Sequence, residues 1–267
     1  MGESDLTSRV NVEIPAAARM YDFLGGGTNN FPADRRTVED LLAIAPSSRE
    51  LVGQNRAFLL RAVKSVVRDY GIKQLVDHGS GFPTDRNVHQ VAQAVDRDTK
   101  VVYIDNDPTV VLHSRALLDE NENVRILDAD IVAPAVIRER TDGFIDFGEP
   151  VAMLFVSVLH CFADDLEAAA VVQESVRGLC PGSVVVLCQL VSDRADFRRQ
   201  VTGFMRERTQ GTWGRVRSRD EVADLFDGLE VQEPGLVDVS EWCPDTEVLT
   251  PQRSHEWITY GGLAVVR

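Results

Sequence analysis

The sequence predicts an α/β protein with a Rossmann-like, largely parallel sheet and helices on both faces, because three observations recur together. Short apolar runs alternate with helical patterns, several of those runs end in an acid, and the first ends in two closely spaced glycines. Strand and helix in alternation are the mark of βαβ units, and open sheets of that kind collect ligands beyond the carboxyl ends of their strands.

The chain is expected to begin with a helical lead-in and lid over residues 1–70, followed by a core over 71–267, the two forming one structural domain. Ser47 and Glu50 have capping-box spacing ahead of Leu51, and Phe58, Leu59, Ala62 and Val66 share one helical face. Glycines 25–27 beside Asn29 and Asn30 break any helix, since each glycine costs about 1 kcal/mol relative to alanine. The resulting loop, flanked by Tyr21, Phe23 and Phe31, either folds over a ligand or anchors the lead-in to the core. In the first case an aromatic face beside a cationic centre would contribute roughly 0.5–2 kcal/mol. Arg19, Asp34 and Arg35 pair within this segment or hold a ligand carboxylate.

The first strand, around Leu75 and Val76, ends in Asp77-His78-Gly79-Ser80-Gly81-Phe82-Pro83. Glycine permits the tight turn and lets a ligand approach the backbone. A dinucleotide fingerprint would close on a third glycine, and position 84 is threonine. The second strand, 101–104, ends in Asp105-Asn106-Asp107-Pro108; Asp107 suits a helix N-cap with Pro108 at the first helical position. Asp105 then has acceptor oxygens for both hydroxyls of a ribose. The third strand, 124–127, leads to Asp128-Ala129-Asp130-Ile131, where Asp130 is placed to accept from an adenine amino group and the backbone at Ile131 to meet a ring nitrogen. The fourth, 151–159, is nearly continuous in apolar residues, as a strand buried on both faces requires. It contains Ser157 and ends at His160. Pro181-Gly182 turns into the fifth strand, 183–190. An arginine-rich stretch from Arg194 to Arg219, interleaved with acids, is expected to be a solvated helix face. Ser218 and Glu221 start a helix ending at Gly228, and strands over 229–233 and 257–266 complete the sheet.

These segments together resemble a bacterial family of class I S-adenosylmethionine (SAM) methyltransferases. The family is marked by an N-terminal segment that here reads Ala18-Arg19-Met20-Tyr21-Asp22-Phe23-Leu24-Gly25-Gly26-Gly27-Thr28-Asn29-Asn30-Phe31-Pro32-Ala33-Asp34-Arg35. The similarity runs on through the glycine turn, Asp105 to Pro108, Asp128 to Asp130, Leu159-His160, Pro181-Gly182-Ser183 and Tyr260-Gly261-Gly262. It implies a seven-stranded sheet, SAM as cofactor, S-adenosylhomocysteine as product and a small-molecule acceptor methylated on oxygen or nitrogen. It also implies that Arg19, Tyr21, Asn30, Phe31, Asp77, Gly79, Gly81, Pro83, Asp105, Asn106, Asp130, Ile131 and Ser157 surround the cofactor. His160 borders the acceptor as base or orienting donor, with His78 a weaker candidate. The chain departs from the family at Thr28-Asn29, at His78 and at Cys188-Gln189, where Ser-His is usual. The last departure argues against a base on the fifth strand and keeps open a protein that binds SAM without methylating.

Composition bounds the alternatives. A net charge of −14 disfavours nucleic acid. The absence of a long apolar run or a leader pattern predicts a cytoplasmic protein without membrane contact. Cys161, Cys180, Cys188 and Cys243 lack metal-site spacing, so no metal is expected. Nothing in the sequence fixes an oligomeric state.

Overall fold

The computed structural model describes residues 3–118, 121–244 and 256–267. Its elements run α1 (Glu3–Ser8), α2 (Ala17–Leu24), α3 (Pro32–Ile44), α4 (Ser48–Arg68), β1 (Gln74–His78), α5 (Val88–Val95), β2 (Lys100–Asp105), α6 (Pro108–Leu118), β3 (Val124–Asp128), α7 (Pro134–Thr141) and β4 (Ala152–Val156). After a 3₁₀ turn, Leu159–Cys161, come α8 (Asp165–Val176), β5 (Val184–Val191), α9 (Ala195–Arg208), α10 (Arg219–Ala223), a second 3₁₀ turn, β6 (Glu230–Val231), β7 (Val237–Asp238) and β8 (Ile258–Val265).

The sheet order is β3-β2-β1-β4-β5-β8-β6, with β7 also on β8. Strands β1 to β5 are parallel, and β8 enters antiparallel between β5 and the short pair β6 and β7. The order reverses between β1 and β2 on one side and β4 on the other, so the crevice at the carboxyl ends opens beside β1. The sheet has eight strands where seven are expected. The difference lies between β6 and β7, where Pro234 has no N–H for a ladder bond and Gly235 takes φ of +91°. One expected strand, 229–233, is thereby reduced to Glu230–Val231 and supplemented by Val237–Asp238.

Alternation along the strands feeds a separate core on each face. Val76, Met153, Phe155, Val185 and Leu187 pack with α8 and the helices after α9 on one side. Leu75, Leu154, Val184 and Val186 pack with α4 and α5 on the other. A third cluster joins Met20, Val38 and Leu41 of α2 and α3 to Phe197, Val201 and Met205 of α9, with Trp213 and Trp257. These helices form a cap beside the carboxyl ends of β4 and β5, drawn from chain on both sides of residue 70. No helix among the described residues is long and apolar enough to cross a membrane. The four cysteines are unpaired.

Candidate active site

The glycine turn is built by hydrogen bonds from the neighbouring strand. Gly79 N and Ser80 N both donate to Ile104 O, at 2.9 and 3.0 Å. Gly79 and Gly81 take φ of +67° and +66°, a region costly to any side chain. The two differ in what surrounds them. A Cβ on Gly79 would lie 2.3 Å from Val158 Cγ2, whereas one on Gly81 would meet nothing within 4 Å. Gly79 therefore serves packing and Gly81 leaves open space. Pro83 follows in the same irregular segment, ahead of α5; Asn87, at the start of that helix, ties the segment by accepting from Thr84 N at 2.9 Å and donating to Thr84 O at 2.8 Å.

Two carboxyls stand at the strand ends beside the glycine turn. Asp105 accepts from Gly81 N at 3.0 Å through one oxygen and from Asp107 N at 2.9 Å through the other. Each oxygen keeps a lone pair for a further donor. Burial raises its pKa to about 6 against those hydrogen bonds. Asp77, at the end of β1, is 3% exposed, and no hydrogen bond reaches its carboxyl among the described residues. Burial lifts its pKa to about 7, helped by the charge of Asp105 and opposed by Arg56. A buried carboxyl without a donor is ordinarily unfavourable.

The other expected residues divide. Asn106 donates to Asp130 Oδ2 at 3.1 Å, and Asp130 also accepts from Val132 N at 3.1 Å, so both lie at the rim beyond β2 and β3. The Ile131 side chain is buried in the core beneath them. Arg19 is otherwise engaged. Its Nε meets Asp34 at 3.0 Å, one terminal nitrogen donates to Asn11 O at 3.0 Å and Ile14 O at 2.6 Å, and the other lies 3.5 Å from Asp107. The guanidinium also covers one face of Phe31, 5.2 Å from the ring centre. Arg19 thus ties the lead-in together through Asp34 and joins it to the end of β2 through Asp107. Asn30 is likewise held, donating to Asp22 at 2.8 Å and to Gly27 O at 3.0 Å while accepting from Arg35 at 2.9 Å. The glycine loop is thus pinned by Asp22, which also takes Asn29 N at 2.8 Å.

Tyr21 and Ser157 belong to a second cluster. Ser157 Oγ donates to Asn55 Oδ1 at 2.9 Å, Cys188 Sγ donates to the same oxygen at 3.1 Å, and Asn55 Nδ2 donates to Tyr21 Oη at 2.9 Å. Ser157 takes φ of +55°, rare for a side chain, so the turn after β4 is held in an unusual conformation. Burial pushes the Cys188 thiol up to about 12, which leaves it a donor with no nucleophilic character at neutral pH. Tyr21, Asn55, Ser157 and His160 border a cavity of about 70 Å³ beneath the cap. Val158, the residue after the cavity-lining Ser157, packs on Gly79 of the glycine turn.

His160 is 7% exposed and its Nδ1 has no partner among the described residues. Burial, and after it the charge of Arg217, lowers its pKa to about 3. The imidazole is neutral at physiological pH, so a rate limb near 6.5 is not expected of it. His78 is also neutral, lowered to about 4 by burial, stacked on Phe155 and bonded to Leu154 O at 3.2 Å inside the sheet. Its place is in the core.

The turn carrying His160 is clamped by the segment after α9. Gly214 N and Arg215 N donate to His160 O at 2.8 and 2.9 Å, and a Cβ on Gly214 would collide with Phe162. Arg217, fully buried, donates to Leu159 O at 2.8 Å, Phe162 O at 3.2 Å and Asp165 at 2.9 Å. This corrects the expectation of a solvated arginine face at that residue. Nothing in the local sequence marks Asn55, Trp213, Trp257 or Thr259 as cavity residues, because they come from distant parts of the chain.

The sequence model of the S-adenosyl methyltransferase family matches residues 3–267. A DUF574 family protein from Streptomyces avermitilis is 30% identical over 97% of this chain and 100% of its own, with a TM-score of 0.87. A candidate methyltransferase from Thermobifida fusca is 34% identical over 96% of this chain and 97% of its own, with a TM-score of 0.88. The mitomycin 7-O-methyltransferase, 19% identical over 98% of this chain and 67% of its own, shares the fold at a TM-score of 0.50. No curated protein matches the chain.

Proposed function

The chain belongs to the S-adenosyl methyltransferase family as a SAM-dependent enzyme, and from that premise we propose that it methylates the oxygen or nitrogen of a small molecule held in the cavity beneath the cap. The observation that carries this reading is the adjacency of two unlike sites. The cradle of Asp77, Gly81 and Asp105 adjoins, across Ser157 and Val158, a cavity enclosed by α2, α4, Trp213 and Trp257. A cavity of about 70 Å³ supports an acceptor whose methylated group is small.

In this reading Asp77 pairs with the α-ammonium of SAM and Asp105 accepts from its ribose. Gly81 leaves the room a ligand needs, and Asn106, Asp130 and the backbone at Ile131 meet the base. When bound, SAM supplies a methyl group on a sulfonium, whose C–S bond breaks as the acceptor's bond forms, giving neutral S-adenosylhomocysteine and, from a hydroxyl acceptor, one proton. Positioning and exclusion of water do most of the work. The cap helices and tryptophans close the cavity, and the Tyr21-Asn55-Ser157 chain fixes its floor. His160 orients the acceptor through its unpartnered Nδ1. Even an imidazole with a depressed pKa takes the proton of a hydroxyl late in bond formation, because the protonated ether is a far stronger acid. No base is then needed at Cys188-Gln189.

One observation favours a second reading, in which the chain binds SAM without transferring its methyl: Gln189, where the family usually has histidine, is fully buried with neither amide atom partnered among the described residues. Incubation with SAM and a fractionated metabolite extract separates the two. Formation of S-adenosylhomocysteine with a product heavier by one CH₂ supports transfer; SAM bound but never turned over supports the second reading.

A further inference from the structure

We infer that the acceptor is an uncharged molecule that presents to the cavity a flat apolar group bearing one hydrogen-bonding hydroxyl or ring N–H, the rest of it lying at the cavity's open side, an inference that rests on reading the capped cavity as the acceptor site. Charge is the first argument. None of the described residues lining the cavity is Asp, Glu, Lys or Arg. The titratable side chains there are held neutral: burial raises the phenol of Tyr21 and lowers His160 to about 3. A carboxylate or ammonium on the acceptor would lose its hydration without gaining a counter-charge. The cradle next door, with two carboxyls, is the opposite environment.

Shape and polarity are the second argument. Met20, Leu41, Leu51, Leu190 and Met205 give flexible apolar walls, and the Trp213 ring lies 5.2 Å from the His160 ring at a 41° tilt. Such surfaces reward flat apolar ligands. Within these walls His160 Nδ1 and Thr259 Oγ1 are both buried and unpartnered. Buried polar atoms are seldom left so in a complete structure. The two sit on different elements, the turn after β4 and strand β8, and both residues line the cavity. Their number sets the ligand's polarity at one or two hydrogen bonds.

The test compares three single-ring probes of similar size and different charge, p-cresol, benzoate and benzylammonium, by calorimetric titration at neutral pH with and without S-adenosylhomocysteine. p-Cresol is expected to bind at least about tenfold more tightly than either ion. Thr259→Val should weaken p-cresol several-fold and leave toluene unchanged. Leu24→Glu, at a half-exposed cavity position, should raise benzylammonium affinity, with thermal melting confirming that both variants fold. Equal or tighter binding of an ion to the native protein, or no binding of p-cresol at 10-fold the concentration that saturates the Leu24→Glu variant with benzylammonium (a ratio of about 1.4 kcal/mol), overturns the inference. Failure of S-adenosylhomocysteine itself to bind strikes instead at the reading of the site, and the probe ranking is read in either case.

Discussion

The cradle at the strand ends and the cavity under the cap are neighbours joined through Ser157 and Val158, yet they are assembled by opposite rules. Each part of the cradle comes from one strand end and the residues directly after it: Asp77 to Gly81 from β1, Asp105 to Asp107 from β2, Asp130 beyond β3. The cavity gathers Tyr21, Asn55, His160, Trp213 and Thr259 from almost the whole length of the chain. The cradle keeps two carboxyls under strain from burial, whereas the cavity carries no charged wall. On the proposed reading, a cofactor of fixed chemistry is met by local backbone geometry, and a particular acceptor by tertiary assembly.

The sharpest way to break this comparison is at the two glycines. Gly81→Val points into open space, so it should weaken S-adenosylhomocysteine binding by about 100-fold or more, while backbone strain of roughly 1–3 kcal/mol leaves the protein folded. Gly79→Val drives a side chain into Val158 as well as straining the turn, and should cost about 3 kcal/mol or more of stability. Calorimetry and thermal melts on both variants decide it. Normal binding by a folded Gly81→Val protein would place the cofactor elsewhere.

Next in size is His160→Ala, expected to lower kcat about 10²-fold with unchanged S-adenosylhomocysteine affinity. The native pH–rate profile should lack a limb near 6.5, because the imidazole is held to about 3. A limb at 6.5 that vanishes in the variant would contradict the buried, neutral histidine.

A smaller effect sharpens the contrast in charge. Asp77 has its pKa raised to about 7, so in the free protein it is mostly protonated below that value. A ligand ammonium favours the carboxylate, so S-adenosylhomocysteine affinity should rise with pH and flatten above about 7. A pKa near 7 makes binding about tenfold weaker at pH 6 than at pH 8, since each unit below it is worth 1.36 kcal/mol. Asp77→Asn should remove that slope. Titrations in buffers of different ionisation heat would also report the released proton.

The smallest effect concerns the cap. Amides of residues 19–35 should gain protection from hydrogen exchange on addition of S-adenosylhomocysteine. Asp22, Asn30 and Arg35 already pin the loop, so the gain should be modest, and equal exchange in both states would leave no closing motion to explain.

What the sequence disclosed follows the same division. Alternating apolar runs gave the strands, and acids and glycines at their ends gave the cradle, because those signals are local in both sequence and space. The capping box at Ser218 and Glu221 forms as expected. That at Ser47 and Glu50 does not, because the Ser47 hydroxyl turns to Glu256 at 2.8 Å, a partner more than 200 residues away. Arg217 was hidden for a similar reason. Amid acids and other arginines it has the pattern of a solvated face, and only the fold of the 159–162 turn supplies the carbonyls that bury it. Pro234-Gly235 is a readable turn signal, yet whether it ends a strand or interrupts one depends on β8 continuing past it.

The place of β8 also bears on synthesis of the protein. Residues 258–265 pair with β5 along eight positions and with β6 and β7 on their other side, and they are made after all three. Until they emerge from the ribosome, β5 presents a long apolar edge with unpaired backbone groups, the kind that recruits other chains. A nascent chain stalled before residue 258 should therefore be a target for chaperones, and one extended past 265 should be released from them.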